Sequence, residues 1–288
     1  MIEPALNPES GFRRLRIELA YDGTNYAGWA KQPDQRTLQG ALEDALAKLF
    51  RTSINTVVAG RTDAGVHATG QVVHADLPED LEGSRYRPDV DPWDLEHVKY
   101  RLNQMLEEDF RVLKVELAPI NFDARFTATS RHYRYKLLDG NKDLLPLKRL
   151  DVATWFRPLD IDLMNQASGP LLGKHDFLTF CRFREGATTL RTLLEFSWSR
   201  DADGIVICDI AADGFGWNMV RNLVGAAVCV GEGRFEVSWM EQILQAQARV
   251  SDSYVFPARG LTLRHVEYPE ASKLAEIRLS DFIAELSF

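Results

Sequence analysis

Residues 37–59, TLQGALEDALAKLFRTSINTVVA, place a capped helix directly before an apolar strand. Thr37 supplies the hydroxyl that an N-cap needs. Leu38, Ala41, Leu42, Ala45, Leu46, Leu49 and Phe50 then recur at i, i+3, i+4 and i+7, which draws one apolar stripe along a helix. Ile54 to Ala59 reads as the strand. Upstream, Leu15 to Tyr21 (LRIELAY) is strand-like and is ended by Asp22-Gly23. Downstream, Gln71 to Leu77 is a further strand. Asp91-Pro92 pairs an N-cap with a proline at the first helical position and opens a helix to about Glu107. Phe110 to Leu117 returns as strand. The order is βαββαβ.

The rest of the chain repeats that order. Thr129 to Leu138 is a strand and Asp160 to about Ser168 a helix. Leu190 to Arg200 and Ile205 to Ala211 form a hairpin around Asp203-Gly204. Phe215 to Val230 is a helix with Met219, Val220, Leu223, Val224, Ala227 and Val228 on one face. Ser238 and Glu241 predict a capping box on an additional helix. Leu261 to Tyr268 is the last strand. The expected class is α+β, with two ferredoxin-like (split βαβ) halves and a central catalytic cleft. The expected divisions are 13–118, 119–268 and an acidic, helical tail at 269–288.

The composition fits a folded chain of this size, with 288 residues of which 45% are hydrophobic. No apolar run reaches the roughly 20 residues that span a bilayer. Met1-Ile2-Glu3-Pro4 lacks the basic and apolar stretches of a signal peptide, so a cytoplasmic protein is expected. Cys181, Cys208 and Cys229 form no C-x-x-C pair, so neither a disulfide framework nor a zinc site is expected. The net charge of −8 argues against a nucleic-acid partner until its distribution is read. Asp76 to Glu96 carries a local −6, and Glu267 to the end a local −3. Ala124 to Arg149 carries a local +5, from Arg125, Arg131, Arg134, Lys136, Lys142, Lys148 and Arg149 against Asp139 and Asp143. Charge sorted in this way leaves room for a basic surface.

The common phosphate, dinucleotide, metalloprotease and esterase motifs are absent. His265-Val266-Glu267 lacks the P-C-x-x-C half of a zinc-deaminase signature. Asp201-Ala202-Asp203-Gly204 lacks the closing glutamate of a calcium loop and reads as a hairpin turn. Gly60-Arg61-Thr62-Asp63-Ala64-Gly65-Val66-His67 stands out. Arg61 and Asp63, two apart in extended chain, would point the same way and pair. The arginine would then keep the carboxylate ionised for work as a nucleophile or base. An ion pair that only fastens a tight turn fits the same residues. Arg131-His132-Tyr133-Arg134-Tyr135 interleaves bases with aromatics on a strand, as single-stranded RNA binders do. A half-buried strand with a solvated charged face fits equally. Trp217, Asn218, Arg221, Asn222 and Gly225 mark a second packed or ligand-facing side of the 215–230 helix.

Together these residues resemble the tRNA pseudouridine synthase A family. The Gly60 to His67 string matches that family's catalytic motif unbroken. Tyr21-Asp22-Gly23-Thr24 with Gly28-Trp29, Ala124-Arg125-Phe126 with Arg131 to Tyr135, and Asn218 to Asn222 with Gly225 follow in the family's order. The resemblance runs from about Leu15 to Tyr268. It implies Asp63 as the essential aspartate and Arg61 as its partner. It implies Tyr133 as the tyrosine against the uracil ring and Arg221 as an arginine that pairs with the aspartate. Arg131, Arg134 and Asn218 are candidate substrate contacts, and Lys148 and Arg149 candidate phosphate contacts. The implied substrates are uridines 38, 39 and 40 in the anticodon arm of tRNA. The implied assembly is a homodimer, with no cofactor, metal or membrane expected. A non-catalytic tRNA-binding protein of the same fold is the alternative, and an acid–base enzyme on a small nucleoside a third reading. Whether Asp63 attacks C1′ or takes the 2′ proton stays open. Ala30 and Thr262 stand where the family often has glutamine and an aromatic.

Overall fold

The computed structural model describes residues 6–80, 91, 93–181, 188–246 and 254–278. Within them the chain is a mixed α/β protein of two compact units. It divides between Thr129 and Ser130, and again between Arg264 and His265. The segments 119–129 and 265–268, expected in the second half, belong with the first. The reason is local polar bonding. Arg14 Nη1 donates to Phe122 O at 2.7 Å, His74 Nδ1 accepts from Ala124 N at 2.9 Å, and Tyr268 OH donates to Ala124 O at 2.7 Å.

The first unit is built from β1 (Phe12–Tyr21), α1 (Leu38–Phe50), β2 (Thr56–Val58), β3 (His67–Pro78), α2 (Leu95–Met105) and β4 (Phe110–Leu117). β1 runs antiparallel between β3 and β4, with Ile17 opposite Val73 and Val115. β2 lies antiparallel on the other side of β3. Leu15, Ile17, Leu19 and Tyr21 alternate into the core, as a strand with one packed face requires. Thr37 caps α1 by accepting from Gly40 N, as expected. The cap of α2 is Asp94, not Asp91, and it accepts from His97 N at 3.1 Å. Both aspartates carry a capping signal, but Asp94 stands one turn before the buried Val98 and two before Leu102. Pro92 and the 81–90 part of the acidic stretch lie outside the described residues.

The second unit is built from β5 (Ser130–Leu138), β6 (Ala153–Thr154), α3 (Ile161–Ser168), β7 (Gly173–Asp176), β8 (Leu190–Arg200), β9 (Val206–Ala212), α4 (Met219–Gly231), α5 (Trp239–Gln245) and the start of β10 (Leu261–Glu267). Its strand order is β5-β9-β8-β7, with β6 parallel to the end of β5. The short strands β6 and β7 were not expected. The helix expected from Phe215 begins at Met219, because Asn218 takes the left-handed conformation with φ 61°. The capping box does not form: Ser238 is already helical in its backbone, and its Oγ accepts from the Gln242 side chain. Of the expected helical tail, α6 (Ala271–Leu274) is present, and residues 279–288 lie outside the described ones. Among the described residues, no helix is long and apolar enough to cross a membrane.

Candidate functional site

Asp63 sits on the loop between β2 and β3, and hydrogen bonds hold that loop at Gly60, Thr62, Asp63 and Val66. Trp29 N donates to Thr62 O at 2.9 Å, and Val66 N donates to Asp63 O at 3.1 Å, which closes a turn around the partly buried Asp63. Gly65 within this turn has φ +78°, where a side chain would be strained. Gly28 and Gly23 let backbone pass close beside it. A Cβ at Gly23 would lie 2.0 Å from Val66 O, and one at Gly28 would lie 3.0 Å from Thr62 O. His67 closes the loop by accepting from Gly23 N at 3.1 Å through Nδ1. The two sequence blocks 21–29 and 60–67 are thus one piece of structure.

Buried polar groups support the loop from beneath. Tyr21 and Thr62 share a hydroxyl–hydroxyl bond of 2.8 Å. Gln71 Nε2 donates to Tyr21 OH at 3.1 Å and to Gly60 O at 2.8 Å. Burial pushes the Tyr21 hydroxyl up to about 12, so it stays protonated at neutral pH. Arg61 is exposed and makes no ion pair among the described residues. The Arg61–Asp63 pair expected from extended chain therefore does not form, because this segment turns instead of running as strand.

The other candidates lie in the second unit. Tyr133 is buried on β5 and meets Phe215 edge-on, with ring centroids 5.3 Å apart. Arg131 Nη1 donates to Asp213 O at 2.6 Å. Arg221, on the first turn of α4, donates from Nη1 to Asn218 Oδ1 at 3.2 Å and from Nε to Phe256 O. Arg131, Tyr133, Asn218 and Arg221 thus converge on the 213–221 segment. Two glycines allow the close packing there. A Cβ at Gly216 would lie 2.3 Å from Cys181 Sγ, and one at Gly225 would lie 1.7 Å from Tyr254 O.

Arg134 does not join them. As the next residue along β5 it faces the other side, and it forms a bidentate pair with Asp209 at 2.8 and 2.9 Å. The remaining bases of this stretch are also engaged. Lys136 pairs with Asp151 at 2.7 Å, Lys142 with Asp139 at 3.6 Å, and Lys148 with Asp203. Arg149 Nη1 donates to Pro146 O at 3.0 Å. The local +5 of the sequence is therefore largely matched by carboxylates, mostly from elsewhere in the same unit.

Sequence reasoning passed over Gln71, placing it only as the first residue of a strand. No local pattern marks it, because His74 and Asp76 are polar residues of the same strand. Compared with known proteins, the chain matches the profile described as tRNA pseudouridine synthase over residues 19–127 and 167–269. It is 47% identical to a protein named tRNA pseudouridine synthase A from Frankia casuarinae, over 92% of this chain and 93% of that one. Its identity to the protein of that name from Mycobacterium leprae is 44%, over 91% and 92% of the two chains. For Leifsonia xyli the values are 47%, 91% and 93%.

Proposed function

We propose, from the premise that this chain belongs to the tRNA pseudouridine synthase family and is an isomerase, that it converts uridine to pseudouridine at positions 38, 39 and 40 in the anticodon stem and loop of tRNA. The observation that carries this reading is the Asp63 loop. It presents one carboxylate from a turn whose backbone is tied down on both sides. The reaction breaks the bond from ribose C1′ to uracil N1 and rejoins C1′ to C5. Nothing is added, removed or oxidised, so a carboxylate acting on the ribose and a pocket that retains the free base suffice.

The roles follow from the groups available. Asp63 acts on the ribose, and Arg61 lies exposed at the loop's entrance to meet the incoming strand. Tyr133 offers an aromatic surface to the displaced uracil. Base flipping costs a few kcal/mol, and stacking returns on the order of 1–3 kcal/mol of it. The resemblance supports Arg221 as an active-site arginine, and its bonds to Asn218 and Phe256 hold the guanidinium. Arg131 and Asn218 line the same segment as substrate contacts. The two compact units are the two ferredoxin-like halves. The β4-β1-β3-β2 order of the first and the β5-β9-β8 order of the second support this. The resemblance further supports a homodimer acting in the cytoplasm on the anticodon arm.

Pseudouridine mapping in tRNA from cells lacking this protein tests the reading. Loss should be confined to positions 38–40, with the T-loop pseudouridine retained. Loss in the T loop or in ribosomal RNA would overturn the positional assignment.

A further inference from the structure

We infer that Gln71 is a positioning residue for the reaction, setting the Asp63 carboxylate through Gly60 on one side and Thr62 on the other. Its carboxamide is fully buried on β3. Its orientation follows from its neighbours. Gly60 O is an acceptor only, so the group facing it is the NH2, and the carbonyl oxygen is left to accept from Val72 N at 3.2 Å. The second N–H points at Tyr21 OH, which must therefore accept from Gln71 and donate its own proton to Thr62 Oγ1. Tyr21, held protonated by burial, is a dependable donor in this relay. One carboxamide thus fixes a backbone carbonyl before Arg61 and, through Tyr21, a side chain after it. Thr62 is also held through its carbonyl by Trp29 N. Asp63, the next residue, inherits that fixed backbone. Catalytic groups held within about 0.5 Å of their working place depend on such support, and misplacement by about 1 Å costs on the order of 100-fold in rate.

The inference rests on the reading of Asp63 as the catalytic carboxylate, and the experiment separates the two. Gln71→Met keeps the volume and removes both donors. We expect kcat to fall about 10- to 100-fold, with KM for tRNA within about threefold, at a temperature where circular dichroism shows the variant fully folded. Tyr21→Phe keeps the Gly60 bond and should lose less than Gln71→Met. Gln71→Glu adds a titration signature. A carboxyl in this buried position has its pKa raised and donates only when protonated. Its kcat relative to the parent should therefore recover as pH falls, which a purely structural role would not produce. Asp63→Asn is assayed in parallel. Wild-type kcat in folded Gln71→Met, a loss confined to KM, or a flat relative pH profile in Gln71→Glu would each overturn the positioning role. Retained turnover in Asp63→Asn would instead overturn the reading of Asp63.

Discussion

The Asp63 loop and the basic stretch 124–149 both carry conspicuous candidate site residues in the sequence, and the fold treats them in opposite ways. In the loop, backbone groups absorb the constraints. Gly60, Thr62 and Asp63 are held through their carbonyls, and Gln71, Trp29 and Val66 supply the donors. In the basic stretch, side chains absorb the constraints. Arg134, Lys136 and Lys148 are taken up by Asp209, Asp151 and Asp203. A site group is kept for chemistry when the backbone around it does the structural work. A charge run counts toward a surface only after its distant partners are subtracted.

That contrast is open to test. Asp63→Asn should lower kcat by on the order of 1,000-fold or more while leaving the tRNA dissociation constant within a few fold and the melting temperature nearly unchanged. A large drop in stability would show that the carboxylate holds the turn after all.

Beneath the same unit, His74 predicts a pH effect on folding. Its pKa is lowered to about 4, first by burial and then by Arg14. Its Nδ1 accepts from Ala124 N, a bond that requires the unprotonated nitrogen. The unfolded chain binds this proton more readily than the folded one. Stability should therefore be constant above about pH 6.5 and fall between there and about pH 4, by on the order of 3 kcal/mol. Denaturant melts across that window should show the slope, and His74→Asn should reduce it.

Gly23→Ala pushes a methyl group onto Val66 O and should cost about 1–3 kcal/mol in the denaturant midpoint, together with much of the turnover. Stability loss with wild-type kcat would separate the close approach from the chemistry. The smallest effect belongs to the basic stretch. Asp203→Asn releases Lys148 at an exposed pair, so the melting temperature should barely change. The slope of log binding constant against log salt should steepen by up to about 1. An unchanged slope would mean that Lys148 does not face phosphate.

Most of the framework was legible from period and punctuation. β4, β5 and β8 begin and end within a residue of expectation, because each is an alternating or apolar run bounded by turn residues. The misses have local causes. β6 is two residues long and β7 is Gly-Lys-His-Asp, so neither has a pattern to read. Asn218 starts α4 late by turning left-handed. Ser238 fails as a cap because its own backbone is helical. In the site, the Gly60–His67 string was legible as a motif, but its internal geometry was not. The i, i+2 rule holds for strands, and this segment turns at Gly65. Gln71 was invisible because its partners are a backbone carbonyl and a tyrosine 50 positions away in the chain.

The first unit is completed by residues that follow the second: Thr129 N donates to Glu267 O, and Asn121 Nδ2 donates to Leu274 O. On the ribosome, the chain between Ser130 and Arg264 therefore emerges as an uninterrupted whole before the unit that began earlier has all its parts. The portion bearing Asp63 is synthesised first and receives its last residues only at the end of the chain. A chain cut short between Asp63 and His265 yields an Asp63 loop whose parent unit never receives its closing segment.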